Sequence, residues 1–381
     1  MELTKSTAIN ACSDLIDAHS TWLLHELLTK PWTPQTFSNA MVRFISILTY
    51  GQEVQFDRED VFHNFDDFQE EFISHLVTKD VLVELFPSWA CLLTMFGRFK
   101  RTKRQGELFH QRLLRTFKAK AELARRSKAW NYTKGMDKLQ PEGVSGDEMD
   151  YLRAELELGS TISTSVMLNH LMTLCVENTE AIQKTQTELD IVVGTEKMPN
   201  YSDRERLPYL NALILELFRY NTFTPLGGPR ATSEDDEYMG YHIPKGTVII
   251  LNQFYLNNDE TVYDNPRRFN PDRWIENPDL PRPIIFGSGK RRCPGQAFTD
   301  YVVFMMVSRL LWAYDIRSNR TEAEKSNNRQ SWILGEPERQ DVSFYIRSAS
   351  HKKAIEEQWD RAEKNNDLVL NAIHHSRLTM C

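Results

Sequence analysis

Residues 286–298 read Phe-Gly-Ser-Gly-Lys-Arg-Arg-Cys-Pro-Gly-Gln-Ala-Phe. The stretch sets one cysteine, Cys293, in a loop rich in glycine and arginine that runs straight into an apolar, helix-like segment. Phe286, Gly289, Arg291, Cys293 and Gly295 fit the pattern F-x-x-G-x-R-x-C-x-G. With cysteine this scarce, a chance match in a chain of this length is rarer than roughly one in ten thousand at ordinary residue frequencies. A helix N-terminus and nearby guanidinium groups favour a thiolate over a thiol. Glycines let the backbone come close to a ligand and turn N–H groups toward the sulfur. The loop therefore has the composition to hold one cysteine close to a bound group.

The chain around it has 381 residues, enough for one large domain or two ordinary ones. Its 41% hydrophobic and 11% aromatic content is that of a globular protein. A net charge of −7 argues against nucleic acid as a principal partner. The five cysteines, Cys12, Cys91, Cys175, Cys293 and Cys381, are widely spaced and contain no C-x-x-C, which fits a reducing compartment and no disulfide framework. Cys12, Cys91 and Cys175 lie among apolar residues and read as small core hydrophobes. Cys381 is the last residue and does not fit a prenylation box. The sequence offers neither a signal peptide nor a run approaching the roughly 20 apolar residues of a spanning helix, so as written it reads as cytoplasmic.

Apolar spacing predicts a mainly helical first half, with helices over 7–29 and 34–49 separated by Pro31 and Pro34. Several amphipathic segments follow over 60–127. The basic stretch Arg98, Lys100, Arg101, Lys103 and Arg104 reads as a solvated loop, and 129–145 as an exposed polar loop. Ser145 and Glu148 have capping-box spacing and open a helix to about residue 178. Helices at 178–194 and 207–220 come next. A minor β region then turns at Pro244-Lys245-Gly246. Residues 263–285 read as irregular, the helix after Cys293 ends near Leu311, and short strands precede a charged helical tail at 350–365.

The helix at 208–220 holds Glu216 and Arg219 at E-x-x-R spacing, which puts both on one helix face. Pro271-Asp272-Arg273-Trp274 follows, shortly before the cysteine loop. The order E-x-x-R, P-x-R-W, F-x-x-G-x-R-x-C-x-G resembles the cytochrome P450 family of haem-thiolate monooxygenases. Leu207-Pro208-Tyr209-Leu210 and the Gly240-to-Asn252 region resemble fungal biosynthetic members. The resemblance covers about residues 1–355 and is strongest over 195–315.

It implies a single P450-like domain over 1–381: a mainly helical part (1–206), the Glu-Arg helix, β region and Cys loop (207–355), and a tail (356–381). It implies haem b, with Cys293 as the axial iron ligand and Phe286 packed beside the sulfur. Gly289 and Gly295 would shape the loop, and Arg291 would bind a haem propionate. Arg230 matches a second basic position, against the plain alternative of a surface arginine opening a strand. Phe286 has the plain alternative of a core phenylalanine. Glu216, Arg219 and Arg273 would form a buried, structural charge network. Residues near Thr224, Pro225 and Leu226, and the segment Trp332-Ile333-Leu334, would face an apolar substrate pocket. Electrons would come from NADPH through a cytochrome P450 reductase, with Lys290 and Arg292 near its docking face or simply solvated. Family members usually sit at the endoplasmic reticulum membrane, facing the cytoplasm.

Two departures qualify the resemblance. The distal helix of the family carries an acid followed by a catalytic Thr, whereas Gly159-Ser160-Thr161-Ile162-Ser163-Thr164 puts Thr161 at the acid position and Ile162 at the Thr position. Ile162 cannot relay a proton. Thr161, Ser163 or a water takes its place, or the enzyme is a haem-thiolate isomerase, dehydratase or coupling enzyme outside the usual oxygen-activating cycle. The family's anchor, early strands and Trp/Arg helix also have no counterpart before residues 7–50. The sequence therefore reads as an N-terminally truncated P450, expected to hold haem weakly, with an inactive remnant as the limiting case. The leading expectation is monooxygenation of a small apolar molecule in fungal secondary metabolism.

Overall fold

A computed structural model describes residues 12–52, 71, 98–319 and 341–378. Helices dominate: α1 (Ser13–Thr29), α2 (Thr36–Tyr50), α3 (Arg98–Arg126), α4 (Tyr132–Lys138), α5 (Gly146–Glu177), α6 (Thr179–Val192) and α7 (Pro208–Tyr220). Then come β1 (Arg230–Ala231), β2 (Asp236–Tyr238), β3 (Tyr241–Ile243) and β4 (Val248–Ile249), followed by α8 (Gln253–Asn257) and α9 (Asp272–Glu276). The chain continues with α10 (Gln296–Ala313), β5 (Tyr314–Ser318), β6 (Val342–Ile346), α11 (Ala349–Arg361) and α12 (Asn366–Leu378). The strands pair antiparallel in twos, β1 with β4, β2 with β3 and β5 with β6. The expected mainly α fold with a minor β region is what the structure has. The described residues fall into two compact units, one of residues 1–34 and 163–362, the other of 35–162 and 363–381.

The first unit is built around α10, in which every residue from Tyr301 to Ala313 is buried. A helix apolar on all sides belongs at the centre of a core. Its one charged residue there, Arg309, is satisfied rather than exposed. Arg309 Nη1 donates to Asp17 O (2.9 Å), Ser20 Oγ (2.7 Å) and Thr21 Oγ1 (3.1 Å) of α1, and Nε donates to Pro199 O (3.0 Å). Asp17 also pairs with it through its carboxylate. Tyr314 at the end of α10 donates to Leu24 O at 2.6 Å, a second tie to α1. The N-terminus of α7 opens on Pro208, and Glu188 of α6 accepts from Tyr209 N (2.8 Å) and Leu210 N (2.9 Å), satisfying amides the helix itself cannot.

In the second unit the buried Glu157 of α5 accepts from Lys120 Nζ of α3 (3.0 Å) and Ser46 Oγ of α2 (2.9 Å). The fully buried Arg153 pairs with Asp150 and Asp137. The capping box of α5 forms as expected: Glu148 N donates to Ser145 Oγ (3.2 Å), and Ser145 N to Glu148 Oε2 (2.7 Å).

Two expectations fail. The basic stretch at 98–104 is the first turns of the 29-residue helix α3 rather than a loop; lysine and arginine are good helix formers, and the amphipathic pattern runs on through them. Lys103 and Arg104 are solvated, as expected. The polar segment 129–145 contains α4, with Trp130, Tyr132 and Thr133 buried and Thr133 Oγ1 bonded to Thr49 O at 2.9 Å. Helix α12 was not anticipated as a helix separate from the charged tail.

Candidate functional site

Pro271-Asp272-Arg273-Trp274 folds as the first turn of α9 and points two side chains back at α7. Glu216, fully buried, is the hub. Its Oε1 accepts from Arg219 Nη2 (2.7 Å), Arg273 Nε (3.2 Å) and Asn270 N (2.9 Å), and its Oε2 from Arg219 Nε (2.9 Å) and Trp274 Nε1 (2.9 Å). Two guanidiniums against one carboxylate leave an excess positive charge in a dry place. Backbone carbonyls take the remaining N–H groups: Asn257 O from Arg219 Nη1 (2.9 Å), and Asp264 O (2.7 Å) and Arg268 O (3.2 Å) from Arg273. The structure thus brings Glu216, Arg219 and Arg273 together as the sequence predicts. It adds Trp274 and the Asn270 amide, which sequence reasoning missed; only the neighbouring Trp274 had a visible signal.

Beyond this cluster the chain reaches the cysteine loop. Phe286 is half-buried, and its ring meets Phe218 of α7 edge-on at 5.7 Å. Phe286 O accepts from Cys293 N at 2.8 Å, closing the loop on itself. Between them Gly287 (φ +70°) and Gly289 (φ +63°) take left-handed backbone that side-chain-bearing residues rarely adopt. Cys293 is a free, exposed thiol just before α10, and a Cβ built on Gly295 would lie 3.8 Å from its Sγ. Arg291 and Arg230 are exposed, and neither makes an ion pair among the described residues. Arg230 folds back over Gly228, whose added Cβ would lie 3.6 Å from its guanidinium nitrogens.

Around the loop, desolvation pushes the Asp300 carboxyl of α10 above its ordinary range, with Arg204, Arg282 and Arg292 opposing. Exposed apolar side chains at Leu226, Val248, Ile249 and Ile250 belong to the same unit. Thr224 is half-buried, its hydroxyl 3.3 Å from Gln253 Oε1, and Pro225 is buried. Trp332, Ile333 and Leu334 lie outside the described residues, as do Cys91 and Cys381; Cys12 and Cys175 are buried as expected.

In α5, Thr161 is fully buried and its Oγ1 has no hydrogen-bond partner among the described residues, which is rare for a buried hydroxyl. Ile162 is buried beside it, and Ser163 is half-buried. Thr161 and Ser163 are two residues apart and so face different sides of the helix.

These features suit a haem. One exposed sulfur on a glycine-shaped loop fits a haem, which needs a single thiolate from the protein. Guanidiniums free of carboxylates match propionate groups, and exposed aliphatic residues match an apolar ring. No described helix is long and apolar enough to cross a membrane.

Comparison with known proteins gives the same direction. The model of the family described as Cytochrome P450 matches residues 4–344. Cytochrome P450 monooxygenase FrzL of Cladobotryum sp is 32% identical over 368 residues, 94% of this chain and 70% of that protein. Cytochrome P450 monooxygenase astF of Aspergillus oryzae is 32% identical over 378 residues, 98% of this chain and 72% of that protein. Fumitremorgin C synthase of Aspergillus fumigatus is 30% identical over 322 residues, 80% of this chain and 60% of that enzyme.

Proposed function

Because this chain belongs to the cytochrome P450 family of haem-thiolate monooxygenases, we propose that Cys293 would be the protein ligand of a haem b and that the enzyme oxidises a small apolar molecule in fungal secondary metabolism. The observation that carries the ligand assignment is the exposed Cys293 thiol on a loop whose Phe286 packs on the Glu216 helix. When bound, the haem supplies dioxygen activation and transfer of one oxygen atom to the substrate.

The chain's own residues do the rest. Cys293 would hold the iron, while Gly287 and Gly289 keep side chains out of the turn. Arg291 and Arg230 would pair with the propionates, and Phe286 would cover the sulfur. Leu226 and the aliphatic residues of β4 exclude water from the apolar face. Glu216, Arg219 and Arg273 fix the frame and take no part in chemistry. In α5 the Thr161 hydroxyl, without a hydrogen-bond partner among the described residues, would hold a proton, since Ile162 has none to give. Electrons come from NADPH through a separate reductase, whose acidic face would meet Lys290 and Arg292.

The test is the absorption spectrum of the purified, haem-supplied chain, reduced and exposed to carbon monoxide. A strongly red-shifted Soret band that is lost in Cys293→His is expected. A short-wavelength band in the unaltered chain, or an unchanged band in Cys293→His, overturns the ligand assignment.

The buried Ile162 favours one second reading, a haem-thiolate isomerase, dehydratase or coupling enzyme. Incorporation of label from isotopic dioxygen into product separates the two, since efficient incorporation excludes the second.

A further inference from the structure

Among the described residues, the three charged residues of the Glu216 cluster bond only to α7 and to residues 257–274, and none of their hydrogen bonds reaches the cysteine loop. Something else must carry their rigidity to residue 286. The hydrogen bonds that continue the path are those of Asn257, the last residue of α8, fully buried and absent from the motifs that identify this site.

Asn257 stands between the two. Its backbone O accepts from Arg219 Nη1 (2.9 Å). Its side-chain amide pairs with both peptide groups of Ile284: Oδ1 accepts from Ile284 N (2.9 Å), and Nδ2 donates to Ile284 O (3.2 Å). Nδ2 also donates to Thr222 Oγ1 (3.1 Å), just beyond α7. A side-chain amide bonded in this way treats residue 284 as a neighbouring strand would, fixing its height and its rotation together. Ile284 lies two residues before Phe286, whose carbonyl closes the loop on the Cys293 amide. Every donor and acceptor of the Asn257 amide is used, and the site is dry, so losing one partner leaves a buried polar group unpaired.

We propose that Asn257 is a positioning residue for the Cys293 loop, transmitting the fixed geometry of Arg219 to the segment that carries Phe286. The inference rests on Cys293 being the haem ligand. Outer partners that orient a metal ligand tune ligation without touching the metal.

The experiment compares the unaltered chain, Asn257→Leu, Thr222→Val and Cys293→His, each haem-supplied, by total haem content and by the reduced carbon monoxide spectrum. Asn257→Leu keeps the branched shape and removes both bonds to Ile284 together with the bond to Thr222. The expected result is haem still bound, with the ratio of the red-shifted to the short-wavelength Soret band lowered about tenfold. Thr222→Val removes only the outer bond and lowers the ratio by a smaller factor, about threefold. An Asn257→Leu protein with the unaltered ratio overturns the proposal. So does an Asn257→Leu protein that fails to fold together with a Thr222→Val protein of unaltered ratio. If the unaltered chain lacks the red-shifted band, or Cys293→His retains it, the ligand assignment falls and takes this inference with it. If those two controls behave and Asn257→Leu does not change, this inference alone falls.

Discussion

Glu216 accepts five hydrogen bonds while fully buried. A carboxylate so placed is not there for net stability alone, since desolvating three charges offsets much of their attraction. What it secures is that α7, α9 and the chain between them have one arrangement. Removing the charge is another matter, because it strands two guanidiniums in the interior. Glu216→Gln is expected to cost about 3–5 kcal/mol, against about 1 kcal/mol for Trp274→Phe, which removes a single donor. Urea unfolding of the two variants checks the ranking; equal costs would mean the charge contributes nothing beyond shape. This cluster also marks how far sequence reading reaches. Glu216 and Arg219 are legible from spacing, and Arg273 through family resemblance. Asn257 was not, because its partners are peptide groups of irregular chain, whose positions no side-chain pattern encodes.

Helices were legible where amphipathic spacing and caps agree, as in α5 and α7. They were misread where composition pointed the other way. Asn131 shows why: it caps α4 by accepting from Lys134 N (3.0 Å) and also donates to Ala124 O (2.9 Å), with its own side chain buried. A segment of polar residues and glycine looks like a loop until its long-range bonds are known. The cap of α5, by contrast, is local and solvent-exposed. Asn131→Ala is therefore expected to destabilise by about 2 kcal/mol and Ser145→Ala by about 1 kcal/mol. Thermal or urea melts of the two check this, and a larger loss for Ser145→Ala would contradict the role of burial.

At the scale of the whole molecule, acid sensitivity has an identifiable source besides the carboxylates. His351 of α11 is buried, its ring edge-on to Trp312 at 4.5 Å, Nδ1 against Ser348 Oγ at 2.7 Å and Nε2 without a partner among the described residues. Burial, and then Arg347, push it below the ordinary histidine value of 6.5, with Asp190 and Asp315 opposing. The unfolded chain then takes up a proton that the folded chain refuses. Stability is full above about pH 6.5 and falls as pH drops from there through the folded-state value. Urea midpoints measured between pH 7.5 and pH 5.5 are expected to decline, and the decline should flatten in His351→Gln. An identical slope in the variant would remove His351 from the account.

The Arg309 clamp has a consequence for how the molecule is made. Asp17 and Arg309 are separated by 292 positions, and Leu24 and Tyr314 by 290. A ribosome delivers α1 long before α10. Leu15, Leu23 and Leu24, all buried in the finished protein, must therefore wait through the synthesis of that intervening chain for the helix that covers them. At roughly 5–20 residues per second that interval is tens of seconds. During it the nascent chain offers an apolar helix whose α10 partner has yet to be made, so its yield in a cell depends on what holds that helix until α10 arrives.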